Sequence, residues 1–190
     1  MGKDKEEIEK EITSFLDKNS TKRGDGTLPG CGLKHGIACA LGTCKDNIPR
    51  VTPVDFFHDG LTLWIIGDPG GKLRNIRSNP KVAVAIYTPM DHSKENRSLQ
   101  LWGKAQLVTK RHQKELFMET ITKFGILEAI GKAMEGNMIK YTYDENFETA
   151  LDRQLNKVTL IKIEPEKIAH LIIRPGERQK RLIWEKDRDD

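Results

Sequence analysis

Gly70-Gly71-Lys72-Leu73-Arg74-Asn75-Ile76-Arg77-Ser78-Asn79-Pro80-Lys81-Val82-Ala83-Val84-Ala85-Ile86-Tyr87 reads as loop, helix and strand in one uninterrupted run. The glycines, with Gly67-Asp68-Pro69 before them, make a turn. Leu73 and Ile76 recur at helical spacing, and the helix ends at Asn79-Pro80 because proline disfavours helical geometry in the residue before it. The alternation of valine with alanine over Lys81 to Tyr87 is the period of a strand. Backbone N–H groups of a glycine loop converge on an anion, a helix N-terminus adds partial positive charge, and Lys72 adds a full one, so a phosphate suits this junction. An ordinary turn with a solvated lysine is the alternative for the loop taken alone. A Walker A loop fails on spacing: its first glycine falls on Ile66, and Leu73 occupies the place of its magnesium-binding hydroxyl.

Upstream, Ile37, Cys39, Leu41 and Thr43 alternate with Ala38, Ala40 and Gly42 as a first strand. Lys45-Asp46-Asn47 is a turn, Arg50 to Phe57 resumes extended structure, and His58-Asp59-Gly60 returns the chain into Leu61 to Ile66, which predicts a three-stranded meander. Downstream, Leu99, Leu101, Ala105 and Leu107 share one face of a fifth strand. Helix-spaced Phe117, Ile121, Phe124, Leu127 and Ile130 predict two helices over 111–135, interrupted near Gly125. Val158 to Ile163 and Ile168 to Ile173 predict strands flanking Glu164-Pro165, with Arg181 to Trp184 as a short last one. Ile8, Ile12, Phe15 and Leu16 predict an amphipathic helix over 4–18, and Asn19 to Gly32 is a turn-rich connector. The expected fold is mainly β with peripheral helices: six or seven antiparallel strands forming a barrel, in one domain over 1–190, with a helical insert over 110–155.

The chain has 190 residues, with 32 Lys plus Arg against 28 Asp plus Glu and a formal net charge of +4. That length supports a core without staples. The first residues are dense in charge, with no signal peptide or membrane span, so a cytoplasmic protein without membrane contact is expected. Cys31, Cys39 and Cys44 lack CxxC spacing and read as buried thiols rather than disulfides or a zinc ribbon. The five histidines form no metal motif, so no metal site is expected. Arg174, Arg178, Lys180 and Arg181 are interleaved with or followed by Glu177, Glu185, Asp187, Asp189 and Asp190, which reads as a solvated face rather than a nucleic-acid patch.

Pro53 inside a strand marks an edge, a bulge, or a place where something else meets the backbone. Arg50 and Thr52 share a face and can both reach an anion there. The order ALGTCKDNIPRVTPVDFF, LTLWIIGDPGGKLRNIRSNPKVAVAIY, SLQLWGKAQLV resembles the FMN-binding split barrels of the pyridoxamine 5′-phosphate oxidase-like superfamily, well over 35–109 and weakly over 157–184. The segment from Gly70 to Ile86 is its most specific part, and the Gly103-Lys104-Ala105 of strand five is typical too.

The resemblance implies a split β-barrel homodimer whose FMN phosphate is held by Lys72 and the Gly70-Gly71 backbone, with Arg50 close by and Asn75 assisting. It implies that Val51, Thr52, Pro53 and Val54 line the flavin ring, that Ile65 and Ile66 close its other side, and that Ser98, Gln100 and Trp102 of the partner subunit approach it. It further implies an FMN-dependent oxidoreductase passing hydride between a reduced nicotinamide, NAD(P)H, and an acceptor the sequence does not name. The alternative is a non-catalytic flavin or haem binding or sensing protein, since some split-barrel relatives bind haem through histidine and His35 and His170 are candidates. Oxidases proper carry arginine or serine side chains where this chain has Gly70 and Gly71, and a tryptophan near Leu171. Their C-terminal Arg-Leu pair is matched by Arg181-Leu182, but Ile183-Trp184 does not follow their His-Asp pattern. The substrate is therefore not implied, and the insert over 110–155 is a candidate pocket or lid.

Overall fold

The computed structural model describes residues 4–24, 32–91, 93–136, 138–139 and 146–187. Cys31, His92, and parts of the Asn19 to Gly32 connector and of the 110–155 insert lie outside the described residues. Helix α1 (Lys5–Asn19) is capped by Asp4, whose carboxylate accepts from the Glu7 N–H at 2.7 Å. Strands β1 (Lys22–Arg23) and β2 (Leu33–Lys34) form a short ribbon, followed by β3 (Cys39–Lys45), β4 (Ile48–Val54), β5 (Phe57–Asp59) and β6 (Thr62–Gly67). Then come α2 (Gly71–Ser78), β7 (Lys81–Tyr87), β8 (Asn96–Thr109), α3 (Lys114–Lys123), α4 (Ile126–Glu135) and α5 (Phe147–Leu155). Strands β9 (Thr159–Ile173) and β10 (Lys180–Glu185) complete the chain.

Strands β3 to β10 make one antiparallel sheet in the order β4-β3-β7-β8-β9-β6-β5, with β10 also on β9. Side chains from across it (Leu41, Ile65, Val84, Leu101, Ile163) bury into a single cluster. The sheet therefore curls around its own interior, as a barrel does. The two ends of the path, β4 and β5, leave the barrel open along one seam: a split barrel. Ile12, Phe15 and Leu16 of α1 plug the interior. A second cluster outside the barrel joins Phe57, Trp64, Val108 and Leu160 to Phe117, Ile121, Ile126 and Leu155 of the helical insert. Among the described residues, no helix is long and apolar enough to cross a membrane.

Several local expectations are corrected. The sheet has eight strands rather than six or seven: the Arg50 to Phe57 run is two strands separated by Asp55-Phe56, and the short last strand pairs with β9 along its whole length. The expected meander does not form: β4 pairs with β3 and β5 with β6, so β4 and β6 are not neighbours. The strands flanking Glu164-Pro165 are one strand, β9. A bulge between Trp102 and Gly103 lets it run through, with Gly103 opposite Pro165. A Cβ on Gly103 would lie 2.2 Å from the Glu164 carbonyl oxygen, so only glycine fits there. The Asp46-Asn47 hairpin turn is as expected, with φ of 52° and 59° at its two residues.

His170 on β9 is fully buried, with neither ring nitrogen hydrogen-bonded and the Phe15 ring 5.1 Å away. Burial, aided by the Arg97 charge, pushes its pKa down to about 4. In the fold the imidazole stays neutral, while in the unfolded chain it takes a proton below about 6.5. This group's stability contribution is therefore intact above that pH and falls progressively down to about pH 4. The total loss is on the order of 3 kcal/mol. Urea titrations at pH 7.5 and 4.5 should show that loss in the wild type and much less in His170→Leu. Equal acid sensitivity of the two proteins would refute this account.

Candidate functional site

The open seam is a cleft. Asp55 and Phe56 carry the chain directly from the β4 edge to the β5 edge, and the space between them measures about 410 Å³. Thr52, Pro53 and Val54 line it from β4, with Asp55 beyond them. Phe57 and Ile66 face them from β5 and β6. Asp68 and Lys72 form one end, and Thr21, Leu33, His35 and Ala38 complete the wall. A second cavity of about 360 Å³ lies beside it, lined by Lys45, Asp46, Ile48, Pro49 and Arg50 of the β3–β4 hairpin and by Gly71, Arg74 and Asn75 of α2. Strand β4 and the start of α2 contribute to both.

Lys72 is the group that most needs a partner. It is 8% exposed, yet its side chain makes no hydrogen bond or ion pair among the described residues. Asp68 lines the same end of the cleft, and two groups of positive character lie beside Lys72. The first turn of α2 has no side-chain cap, leaving its amides for a ligand or water. Arg50 lies across Gly71 so closely that a Cβ there would sit 2.9 Å from Nη1. Asn75 donates from Nδ2 to Thr43 Oγ1 at 3.1 Å, which fastens α2 to β3. The rest of the cleft is walled by Leu33, Val54, Phe57 and Ile66. Thr52 Oγ1 is buried there without a hydrogen-bond partner. An elongated ligand with an anion at one end and a flat, partly polar ring at the other fits this arrangement. From Arg50 to Asp55 the strand rises by roughly 16 Å.

At the two cavities the structure brings together Arg50, Thr52, Pro53, Val54, Ile66, Gly71, Lys72 and Asn75. Register confirms that Arg50 and Thr52 share a face, opposite Thr43 and Leu41. Gly70 is the N-cap residue of α2 and lines neither cavity. Ile65 is 1% exposed inside the barrel. Val51 is 69% exposed and lines neither cavity. Ser98, Gln100 and Trp102 pair with Tyr87, Ala85 and Ala83 and belong to the outward face of the sheet, away from this chain's own cleft.

Sequence reading passed over Lys45 and Arg74 in the second cavity, and over the ion pair of His35 Nδ1 with Asp55 Oδ2 at 3.0 Å in the cleft. Lys45 and Arg74 each lie beside a residue already singled out, a usable signal. The His35–Asp55 pair has none, because its members are distant in sequence. His58 reaches Asp17 of α1 through Nε2 at 3.2 Å. Burial raises the Cys39 thiol to about 12, so it supplies no thiolate.

The sequence profile of the pyridoxamine 5′-phosphate oxidase family matches residues 32–171. The uncharacterized protein RA0666 of Rhizobium meliloti (strain 1021) is 35% identical over 78 residues, 41% of this chain and 46% of that protein. This chain thus spans under half the length of that curated relative. A pyridoxamine 5′-phosphate oxidase-related, FMN binding protein from Nostoc punctiforme PCC 73102 has a similar structure. Its TM-score is 0.59 at 16% identity, over 94% of this chain and 90% of that one. A FAD-binding protein from Mesorhizobium loti gives 0.56 at 16% identity, over 86% and 93%. At these identities the two structures speak to the fold alone.

Gly71→Ala tests the anion end. The Cβ meets only the far end of a flexible arginine, so stability should stay within about 0.5 kcal/mol. Displacing Arg50 should weaken the binding of inorganic phosphate at least threefold, read from amide NMR shifts. Unchanged phosphate affinity would remove Arg50 from the site.

Proposed function

The chain belongs to the pyridoxamine 5′-phosphate oxidase family, and from that premise we propose that it is an FMN-binding flavoprotein acting as an oxidoreductase on a small molecule. The observation that carries this reading is Lys72, a largely buried residue with no ion pair among the described residues, beside an uncapped helix start and a guanidinium. The phosphate monoester of FMN neutralises that charge. Lys72, the first amides of α2 and Arg50 hold it, with Arg74 and Lys45 adding positive potential from the second cavity.

Pro53, Val54, Ile66 and Phe57 supply apolar walls for the ring, and the Thr52 hydroxyl gains a hydrogen-bond partner at its polar edge. When bound, FMN supplies two-electron hydride chemistry, here between NAD(P)H and an acceptor. The protein's own residues bind, orient and exclude water. Apolar walls around the reacting atoms strengthen every charge interaction nearby.

The working unit in this reading is a homodimer in the cytoplasm. Val51 (69% exposed), Tyr87 (58%) and Trp102 (39%) protrude from a sheet face that also carries Ala83, Ala85, Ser98 and Gln100. That apolar surface gains by meeting its own copy, which would bring the partner's Ser98, Gln100 and Trp102 toward this cleft. For the alternative, a haem binder, His170 is sealed under Phe15, and of the two candidate imidazoles only His35, with Nδ1 on Asp55, keeps a ring nitrogen open.

Purified protein should be yellow, with flavin absorbance released on denaturation and identified as FMN by mass. Lys72→Ala should weaken FMN binding at least tenfold. A colourless protein that ignores added FMN would defeat the proposal. Val51→Glu combined with Tyr87→Glu should halve the mass measured by light scattering; a wild-type monomer would remove the dimer from the reading.

A further inference from the structure

We propose that His35, held by Asp55, is the proton-transfer residue of the cleft, serving acceptors that take up a proton together with an electron pair, as quinones do. The proposal rests on the flavin reading above. Its first support is position. Asp55 follows β4 at the end of the cleft remote from Arg50 and Gly71, and His35 lines the same cavity. The second is orientation. Asp55 Oδ2 lies 3.0 Å from His35 Nδ1, so the carboxylate accepts the Nδ1–H and fixes the tautomer. Nε2 has no partner among the described residues, and the imidazole is one-third exposed, open to a ligand and to the solvent that restores its proton.

Preorganisation is the third support, and it separates this pair from a chance surface contact. The segments bearing the two residues are both clamped to the turn that ends α1. Ile37 donates its backbone N–H to the Asn19 carbonyl at 2.9 Å, and Thr21 donates its own to the Phe56 carbonyl at 2.8 Å. Gly36 is pressed so tightly on that turn that a Cβ would lie 1.8 Å from the Asn19 oxygen. One backbone turn therefore sets the imidazole against the carboxylate. Such fixation is what a proton-transfer pair requires.

Among the other residues lining the cleft, Asp68 and Lys72 are ionisable, and they sit at its anion end. Imidazole is the side-chain type suited to giving and taking a proton near neutrality. For a quinone the balance is simple. In its imidazolium form His35 would keep Nδ1–H on Asp55 and give its Nε2 proton to one quinone oxygen, while bound anionic dihydroflavin would supply hydride to the other, leaving hydroquinone, oxidised flavin and neutral imidazole. Solvent then reprotonates the imidazole.

The test uses the FMN-loaded full chain, reduced anaerobically by light and mixed by stopped flow with 1,4-benzoquinone or with ferricyanide, which takes electrons without a proton. His35→Gln should slow reoxidation by benzoquinone at least tenfold. It should leave the ferricyanide rate and the FMN affinity within twofold of wild type. Asp55→Asn, acting only through His35, should fall between. In the wild-type apoprotein, addition of FMN should move the His35 ring proton resonance. An unchanged benzoquinone rate, equal slowing with both oxidants, or a stationary His35 resonance would overturn the proposal while leaving FMN binding intact. Failure of the wild type to bind FMN would overturn the earlier reading and this one together.

Discussion

A β-strand has two edges, and β4 has a partner along only one of them. Half of its amides and carbonyls point away from β3, and in most proteins such an edge is a liability. Here it is blunted by Pro49 and Pro53, neither of which can donate to an incoming strand. The chain then crosses at Asp55-Phe56 to the opposite end of the sheet, so the two free edges border one gap. The barrel cannot close there without losing the cleft. An unpaired strand edge between apolar walls is a place where a flat, hydrogen-bonding ligand can replace the missing neighbour.

The ends of that gap are made differently. At one end, Lys72, Arg50 and the uncapped start of α2 gather positive character beside the single carboxylate of Asp68. The glycine at the first position of α2 is what lets Arg50 lie over the helix start, while Asn75 looks inward to Thr43 and contributes rigidity rather than charge. At the other end, order comes from backbone hydrogen bonds around the turn after α1. Helix α1 thus has two tasks: its apolar face plugs the barrel, and its C-terminal turn aligns two segments of the cleft wall.

What the sequence disclosed follows from how local each feature is. The loop, helix and strand of Gly70 to Tyr87 were legible because glycine, Asn-Pro and valine alternation each act on their nearest neighbours. The outward placement of Ser98, Gln100 and Trp102 followed from alternation alone. The division of Arg50 to Phe57 was not legible, since extended backbone continues on both sides of Asp55-Phe56 and only pairing partners reveal the crossing. Continuous β9 was hidden by Glu164-Pro165, which reads as a break unless a bulge opposite it absorbs the missing donor. Helix α5 lay in a segment whose apolar spacing had not been followed past Gly136. The His35–Asp55 pair is a tertiary contact with no periodic signature.

The helical insert fits a wall better than a lid. Its apolar residues Phe117, Ile121, Ile126 and Leu155 are spent on the cluster outside the barrel, together with Leu33 and Phe57. Those last two residues also line the cleft. The insert therefore reaches the site through two shared side chains. Its ion pairs, Lys123 with Asp59 at 2.6 Å and Arg23 with Glu128 at 2.8 Å, are half exposed and contribute little. Burial of each large apolar side chain is worth about 1.5 to 3 kcal/mol, so hydrophobic packing holds the insert in place. Because interiors are close-packed, a change in the volume of Phe117 or Ile121 must be taken up by their neighbours. Leu33 and Phe57 are the neighbours that line the cleft, so the packing of the insert sets the width of the cleft at those two side chains.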